Sequence, residues 1–194
     1  MDLRLLNQHW KEGHFYNFPL QRALYTKLCT ALEHRFIVSV LGLRRTGKTT
    51  LFLQLIDHLI NRGVPRQNIL FYTFDEPAEL EKVINDYLAH FSLNLEQGPF
   101  YFFLDEIQKL ENWQSKVKIY YDHYPSIKFM VSGSASTLIR KRSESLAGRI
   151  FEYTLSPLSY QEFLHFRQRD SWLQQQQVYT PELQRELEWY ARRQ

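Results

Sequence analysis

Short apolar runs along the chain alternate with longer stretches in which hydrophobic residues recur every three or four positions. The runs predict β-strands and the longer stretches predict helices, because these are the hydrophobic periods of the two structures. Strands that alternate with helices pair in parallel, and both faces of their sheet are covered. The pattern therefore predicts an α/β fold of three layers. The predicted strands span residues 36–41, 68–74, 99–104, 127–132 and 150–155, and the predicted helices span residues 20–33, 49–61, 78–91, 113–121 and 136–142.

The character of the chain changes after Ser156. Residues 157–169 follow a helical pattern that is rich in aromatic side chains. Further on, Thr180 and Pro181 resemble an N-cap followed by proline at the first helical position, which predicts a helix that runs nearly to Gln194. The predicted domains are a core with an N-terminal helix, residues 1–156, and a C-terminal helical extension, residues 157–194.

Composition narrows the class of protein. With 44% hydrophobic and 23% charged residues in 194, the chain can bury a sizeable core. A net charge of +3 permits a nucleic-acid partner without requiring one.

Cys29 is the only cysteine, which excludes an intrachain disulfide and a thiolate metal cluster. Its apolar neighbours predict a buried, unreactive thiol. The chain shows neither a signal peptide nor an apolar run of membrane-spanning length, so we expect a cytoplasmic protein.

A glycine-rich stretch, "GLRRTGKTT", lies between the first strand and the helix that follows it. Its Gly42, Gly47, Lys48 and Thr49 match every fixed position of the pattern G-x-x-x-x-G-K-[ST]. The glycines let backbone N–H groups turn toward phosphate oxygens, and the following helix directs the positive end of its dipole at the same anion. We therefore predict a phosphate-binding loop in which Lys48 reaches the terminal phosphates and the Thr49 hydroxyl holds Mg²⁺. The predicted nucleotide-binding residues are Gly42, Leu43, Arg44, Arg45, Thr46, Gly47, Lys48, Thr49 and Thr50.

Two acids, Asp105 and Glu106, follow the apolar run at residues 99–104. Asp105 ends the strand, where it would hold Mg²⁺ and its waters together with Thr49. Glu106 points in a different direction and can orient and deprotonate a water for in-line attack on the terminal phosphate. A kinase must exclude water, whereas this arrangement admits it. We therefore predict hydrolysis, with Lys48 and Glu106 as catalytic residues.

Further catalytic candidates lie elsewhere in the chain. In "FMVSGSAS", Ser132 or Ser134 can contact the attacking water or the terminal phosphate; spacing does not decide between them, and Ser134 is our candidate. Arg149 can stabilise charge on the transferring phosphoryl group, in its own site or in a neighbour's, or it is a solvent-facing turn residue. Asp75 is a weaker candidate for orienting water. The basic tract at 140–142 either contacts nucleic acid or forms a solvated helix face.

Taken in order over residues 15–166, the motifs resemble the AAA+ superfamily of P-loop ATPases, and within it the prokaryotic type related to the archaeal ATPase and signal-transducing NTPase groups. The resemblance implies a five-stranded parallel sheet and Mg²⁺-dependent ATP binding. It implies that Lys48 and Thr49 contact phosphate and metal in the Walker A motif, and that Asp105 and Glu106 form the acidic Walker B motif. Members usually continue into a further C-terminal domain, so we expect either a short form or the N-terminal ATPase part of a longer protein. The stretches that carry the resemblance are "LGLRRTGKTT", "FDEP", "FLDEIQKLENW", "VSGSAS" and "SLAGRIFEYTLSPLSYQEF", of which "SLAGR" and "PLSYQEF" are the most specific to this group.

The leading hypothesis is an ATPase module that couples its nucleotide state to changes of conformation or of partner contacts. One alternative is a nucleotide-dependent binding switch that holds ATP with negligible turnover. Another is a nucleic-acid remodelling factor, whose binding would weaken steeply with salt. A small-molecule kinase, whose acceptor would stimulate ADP release, is the remaining option. The predicted ligands are ATP and Mg²⁺, and the further partners we consider are a second copy, a C-terminal domain or another protein, with no membrane partner.

Overall fold

The computed structural model describes residues 2–134 and 146–169, together with positions 185, 188 and 189. The helix predicted at 136–142, which contains the basic tract 140–142, lies outside the described residues, as does most of the helix predicted near the C-terminus. The strands are β1 (Ile37–Gly42), β2 (Ile69–Thr73), β3 (Phe100–Asp105), β4 (Ile127–Ser134) and β5 (Ile150–Leu155). The helices are α1 (Leu3–Leu6), α2 (Leu24–Ala31), α3 (Lys48–Asn61), α4 (Leu80–Phe91), α5 (Trp113–His123) and α6 (Tyr160–Phe166), with 3₁₀ turns at Gln8–Trp10, Arg66–Asn68 and Ile107–Lys109.

The five strands form one parallel sheet in the order β2-β3-β4-β1-β5. The predicted five-stranded α/β fold is therefore confirmed. Because all of these strands point the same way, their carboxyl ends share one edge of the sheet, which we call the carboxyl edge. Gly42 at the end of β1 lies opposite Ser134 of β4 and Leu155 of β5. The insertion of β4 between β1 and β3 brings three strand ends together at this edge.

Successive strand residues point to opposite sides of the sheet. The central strands β1 and β3 are buried on both faces, whereas the edge strand β5 is largely exposed. On β3, Phe102 and Leu104 pack against α4 and α5, whereas Phe103 packs on the other face against α2 and α3. The apolar residues of α3 contribute to that second layer, including Phe52 and Leu55, which are fully buried. Because helices cover both faces of the central strands, the sequences of those strands are nearly continuous apolar runs.

The N-terminal segment covers the outer edge of β2, which is an edge strand of the sheet. Asn7 is buried, and its amide both donates to the Phe71 carbonyl at 2.9 Å and accepts from the Phe71 N–H at 2.7 Å. The Trp10 indole donates to the Ile69 carbonyl at 2.8 Å, and His9 contacts the same carbonyl at 3.1 Å. These side chains satisfy backbone groups that an open edge strand would leave unpaired.

The helix predicted from Leu20 begins only at Leu24. The physical reason is that the preceding residues have other partners: the side-chain amide of Gln54 donates to the carbonyl oxygens of Phe18 and Leu20. These bonds hold the backbone before α2 away from a helical conformation. Cys29 on α2, which was predicted to be buried, is only partly buried, and desolvation raises the pKa of its thiol.

Two compact units divide the chain, residues 1–155 and 156–194. The sheet and α1 to α5 belong to the first unit. In the second unit, α6 begins with a capping box: the Glu162 N–H donates to the Ser159 hydroxyl at 3.2 Å, and the Ser159 N–H donates to the Glu162 carboxylate at 2.9 Å. Its Phe163 stacks on Trp189 with ring centroids 5.2 Å apart. Within the described residues, no helix combines the length and apolarity needed to cross a bilayer.

Candidate functional site

The glycine-rich loop joins the end of β1 to the start of α3 at the carboxyl edge. Its backbone takes left-handed φ angles at Arg45 (65°) and Gly47 (96°), and the second of these favours glycine. A Cβ atom on Gly42 would lie 2.5 Å from the backbone carbonyl oxygen of Leu155. Gly42 is therefore required by the close approach of β5, as well as by the turn that it begins.

Lys48 lies inside this loop and is 5% exposed. Its ammonium donates to the carbonyl oxygens of Gly42, at 3.3 Å, and Leu43, at 2.9 Å. The Thr46 hydroxyl donates to the same Leu43 carbonyl at 2.9 Å. Since Lys48 is also the first residue of α3, the lysine charge and the positive end of the helix dipole meet at one place. Such an arrangement of positive charge could bind an anion.

Asp105, the last residue of β3, contacts the first turn of the helix that follows the loop. It is 3% exposed, and its Oδ2 atom accepts a 2.5 Å hydrogen bond from the Thr49 hydroxyl. Its Oδ1 atom accepts from the Ser132 hydroxyl of β4 and from the Glu106 N–H at 3.0 Å. The structure therefore brings Thr49 and Asp105 into direct contact. A hydroxyl beside a single carboxylate is an oxygen donor set that suits Mg²⁺, which takes one or two carboxylates and completes its shell with phosphate and water.

Glu106 has a left-handed backbone, with φ 53°, and its carboxylate has a different partner from those of Asp105. Its carboxylate is only partly buried, and Oε2 accepts a 2.5 Å hydrogen bond from the Gln108 amide. Sequence reasoning did not identify Gln108. The signal in the sequence was limited to a polar residue two positions after the second acid.

The other predicted residues of the carboxyl edge take different positions. Ser134 lies opposite Gly42 across the β1–β4 pair and is partly buried, whereas Ser132 is fully buried against the aspartate of β3. Asp75 accepts hydrogen bonds from Lys109 at 2.5 Å and from Thr73 at 3.1 Å. The hydrogen bond from Lys109 holds the pKa of the Asp75 carboxyl below its usual value. Asp75 is thus engaged in an exposed ion pair.

Arg149 is not brought to this site within its own chain. It immediately precedes β5, and its carbonyl accepts from the N–H of Ile37, the first residue of β1. It therefore lies at the amino edge of the sheet, separated from the loop by the length of a six-residue strand, roughly 20 Å. Its guanidinium donates to Asp122 on α5 at 3.1 Å. Of the alternatives for Arg149, this position disfavours a catalytic role in its own site, since the length of β5 separates the residue from the loop.

A further residue that sequence reasoning missed is Arg22, which precedes α2. It is 9% exposed, and its guanidinium donates to the Thr46 carbonyl oxygen at 2.8 Å. Its local sequence contains no signal that distinguishes it from a solvent-exposed arginine. The glycine-rich loop is thus contacted by a buried guanidinium.

Comparison with known proteins agrees with this geometry. Residues 34–164, more than half of the chain, match a family model described as an AAA domain. The chain belongs to the AAA domain family. The match spans the whole sheet as well as the phosphate loop and the acidic strand end, so the resemblance to P-loop ATPases of the AAA type is confirmed.

Relatives of this AAA chain include two uncharacterized proteins. One, from Haemophilus influenzae, is 32% identical over 139 residues, which cover 70% of this chain and 35% of the relative. The other, from Methanocaldococcus jannaschii, is 25% identical over 165 residues, which cover 83% of this chain and 34% of the relative. The chain therefore spans about a third of the length of these relatives.

Among solved structures, the fold is similar to that of the Walker-type ATPase of Pyrococcus abyssi. The TM-score is 0.54 at 17% sequence identity, with 88% of this chain and 63% of that chain covered. At this level of identity the likeness shows a common fold.

Proposed function

We propose that this AAA chain binds Mg²⁺ and ATP and hydrolyses the terminal phosphate. The observation that carries the proposal is the 2.5 Å contact between the Thr49 hydroxyl and the buried Asp105, which joins a phosphate loop to an acidic strand end. Glu106 follows directly, and its carboxylate is bound by Gln108 and not by the partners of Asp105. A phosphate cradle, a metal-binding pair and a separate carboxylate are the groups that hydrolysis of a nucleoside triphosphate needs.

Each residue has a role in this mechanism. The loop N–H groups and the Lys48 ammonium bind the phosphates, while Thr49 and Asp105 would hold Mg²⁺. When bound there, the metal ion supplies charge neutralisation at the terminal phosphates. Glu106 orients the attacking water and accepts its proton, a role worth about 10²- to 10⁴-fold in rate. Ser134, at the end of β4, is our candidate for contacting the terminal phosphate or that water.

The test compares phosphate release from Mg²⁺-ATP by the wild-type chain and by Glu106→Gln, over a wide range of protein concentration. We expect Glu106→Gln to keep nucleotide affinity and to lose at least about 100-fold in turnover. Glu111→Gln, which alters an exposed glutamate after the same strand, is the matched control and should behave as wild type. Unchanged turnover in Glu106→Gln would remove Glu106 from its role.

A companion variant tests the cradle itself. Lys48→Ala removes the buried ammonium at the centre of the loop, so nucleotide binding should be lost. Titration with ATP, followed by calorimetry, measures this directly. Micromolar affinity retained by Lys48→Ala would show that the loop is not the phosphate site.

A second candidate function is a switch that holds ATP with little turnover. The hydrogen bond from Gln108 to Glu106 favours it, because one of the two carboxylate oxygens is already engaged. The same contact could instead orient the carboxylate for attack. Gln108→Leu distinguishes the two: a fall in turnover supports orientation, whereas a rise supports a restraint and hence a switch.

For Arg149 we infer that it stabilises the transferring phosphoryl group in the site of a neighbouring copy. The glycine-rich loop of its own chain lies at the other edge of the sheet. Its partner Asp122 would have to release it, and the exposed position of both residues permits this. Mixing Arg149→Ala with Lys48→Ala provides the test, because each inactive variant would supply what the other lacks. Recovery of turnover supports sharing between copies, and its absence leaves Arg149 a surface ion-pair residue.

A further inference from the structure

A short segment before α2, residues 16–22, runs along α3 toward the phosphate loop, and we call it the strap. Asp57 accepts the first two backbone N–H groups of the strap, at 3.1 and 2.9 Å. Gln54, which is 5% exposed, donates through its side-chain amide to two strap carbonyl oxygens, at 2.9 and 2.8 Å. The strap residues bound in this way are Tyr16, Asn17, Phe18 and Leu20. The strap is therefore fastened to the helix that begins at Lys48.

The order of these contacts gives the strap its direction. Its first residues bind Asp57, its middle binds Gln54, and its last residue, Arg22, binds Thr46 just before the helix. The strap is therefore antiparallel to α3 and delivers Arg22 to the loop. Gln54 is buried and Asp57 is partly buried, and their hydrogen bonds hold the strap against α3. The position of the Arg22 guanidinium is therefore set by α3.

The atom that Arg22 contacts has a direct bearing on phosphate binding. Thr46 and Gly47 share one peptide unit, and in a planar trans peptide the carbonyl and the N–H point in opposite directions. Because the 2.8 Å bond holds the Thr46 carbonyl toward Arg22, the Gly47 N–H is directed away from the strap. The residues on either side of Thr46, which are Arg45 and Gly47, both have left-handed φ angles. The Thr46–Gly47 peptide therefore lies in a sharp turn of the loop.

We propose that Arg22 is a positioning residue for phosphate binding, which holds the Thr46–Gly47 peptide with its N–H directed into the cradle. The guanidinium also brings a positive charge to the loop, which attracts phosphate. The inference rests on the proposed function, because its ligand is the nucleoside triphosphate of that site. Arg22 acts through the loop backbone.

The expected effect depends on the phosphates of the ligand. Arg22→Met keeps an unbranched apolar stem and removes both the donor and the charge, so ATP affinity should fall about 10- to 100-fold. Adenosine, which has no phosphate, should bind as it does to wild type. Arg22→Lys keeps the charge without the planar guanidinium, so we expect an ATP affinity between those of Arg22→Met and wild type. A residue that merely stabilised the fold would affect both ligands alike.

The experiment is calorimetric titration of the full chain with Mg²⁺-ATP and with adenosine, supported by thermal melting of each unliganded variant. Arg62→Met is the matched control, because Arg62 lies at the far end of α3 in an exposed ion pair with Glu33. It should bind ATP as wild type does. If Arg22→Met does not fold, Arg22→Lys provides the measurement.

The outcomes are separable. A selective loss of ATP affinity in the Arg22 variants, with adenosine binding unchanged, supports the proposal. Wild-type ATP affinity in a folded Arg22 variant, or an equal loss for ATP and adenosine, overturns this proposal and leaves the proposed function standing. Absence of ATP binding by the wild-type chain overturns both.

Discussion

His9 is a buried histidine whose protonation should control the stability of the first unit at acidic pH. It is fully buried, with Nδ1 3.0 Å from the Tyr16 hydroxyl and Nε2 3.1 Å from the Ile69 carbonyl oxygen. Burial lowers the pKa of its imidazole from 6.5 to about 4, and the nearby Arg66 acts in the same direction. The hydrogen bond to Ile69 opposes this shift without cancelling it. The folded protein therefore prefers neutral His9.

The sign and size of the effect follow from proton linkage. Between the two pKa values the unfolded chain binds more protons at His9 than the folded chain, so stability falls as pH falls. The contribution is fully present above pH 6.5 and declines toward pH 4. The His9 pKa differs by about 2.5 between the unfolded and the folded chain, which corresponds to about 3 kcal/mol of folding free energy well below pH 4. Of this, about 2 kcal/mol should be lost between roughly pH 7.5 and pH 5.

Urea unfolding at a series of pH values measures this loss. In His9→Gln, which has no titrating imidazole, the wild-type decline should be reduced by about 2 kcal/mol over the same interval. His34→Gln, which alters an exposed histidine, is the control and should keep the wild-type slope. Other titrating groups are common to all three proteins and cancel in the comparison. Parallel profiles for wild type and His9→Gln, or a His9 pKa near 6.5 by NMR, would refute the reasoning.

Three further substitutions test the fold and the site. Asn7→Ala removes both bonds to the Phe71 backbone and should lower the free energy of unfolding by about 1–3 kcal/mol, measured with urea. Gly42→Ala would place a Cβ 2.5 Å from the Leu155 carbonyl oxygen, so we expect both a lower melting temperature and weaker ATP binding; wild-type values of both would contradict the close approach. Ser132→Ala removes a hydroxyl that donates to the aspartate of β3, so turnover should require more Mg²⁺, and an unchanged Mg²⁺ dependence would contradict this role.

Hydrophobic periodicity was sufficient to predict the strands of this fold. The observed β5 has the predicted bounds, and β1 and β3 differ from the predicted runs by one residue at each end. For β1 and β3 the reason is that a strand buried on both faces is apolar at nearly every position. The order of strands in the sheet does not follow from such a pattern. That order sets β4 between β1 and β3 and thereby brings Ser132 to Asp105, which spacing alone could not decide.

The N-terminal segment illustrates what local patterns miss. Asn7 and Arg22 are buried polar residues whose partners lie 64 and 24 positions away in sequence. Nothing in their immediate neighbourhood indicates those partners, because each contact depends on how the segment crosses the folded sheet and helix. A further distant contact stops the predicted helix from extending back to Leu20, since the Gln54 amide binds the Leu20 carbonyl oxygen that a helix would use.

Arg149 is a different case, because the sequence contained the information needed to exclude it from its own site. Parallel pairing was predicted from the alternation of strands and helices, and in a parallel sheet a residue before one strand lies opposite the start of its neighbours. The phosphate loop follows β1, whereas Arg149 precedes β5, so the two must lie at opposite edges. The observed hydrogen bond from the Ile37 N–H to the Arg149 carbonyl places Arg149 beside the start of β1, as parallel pairing requires. A catalytic arginine at this position would therefore have to act on a neighbouring copy, which makes the mixing experiment a test of assembly as well as of chemistry.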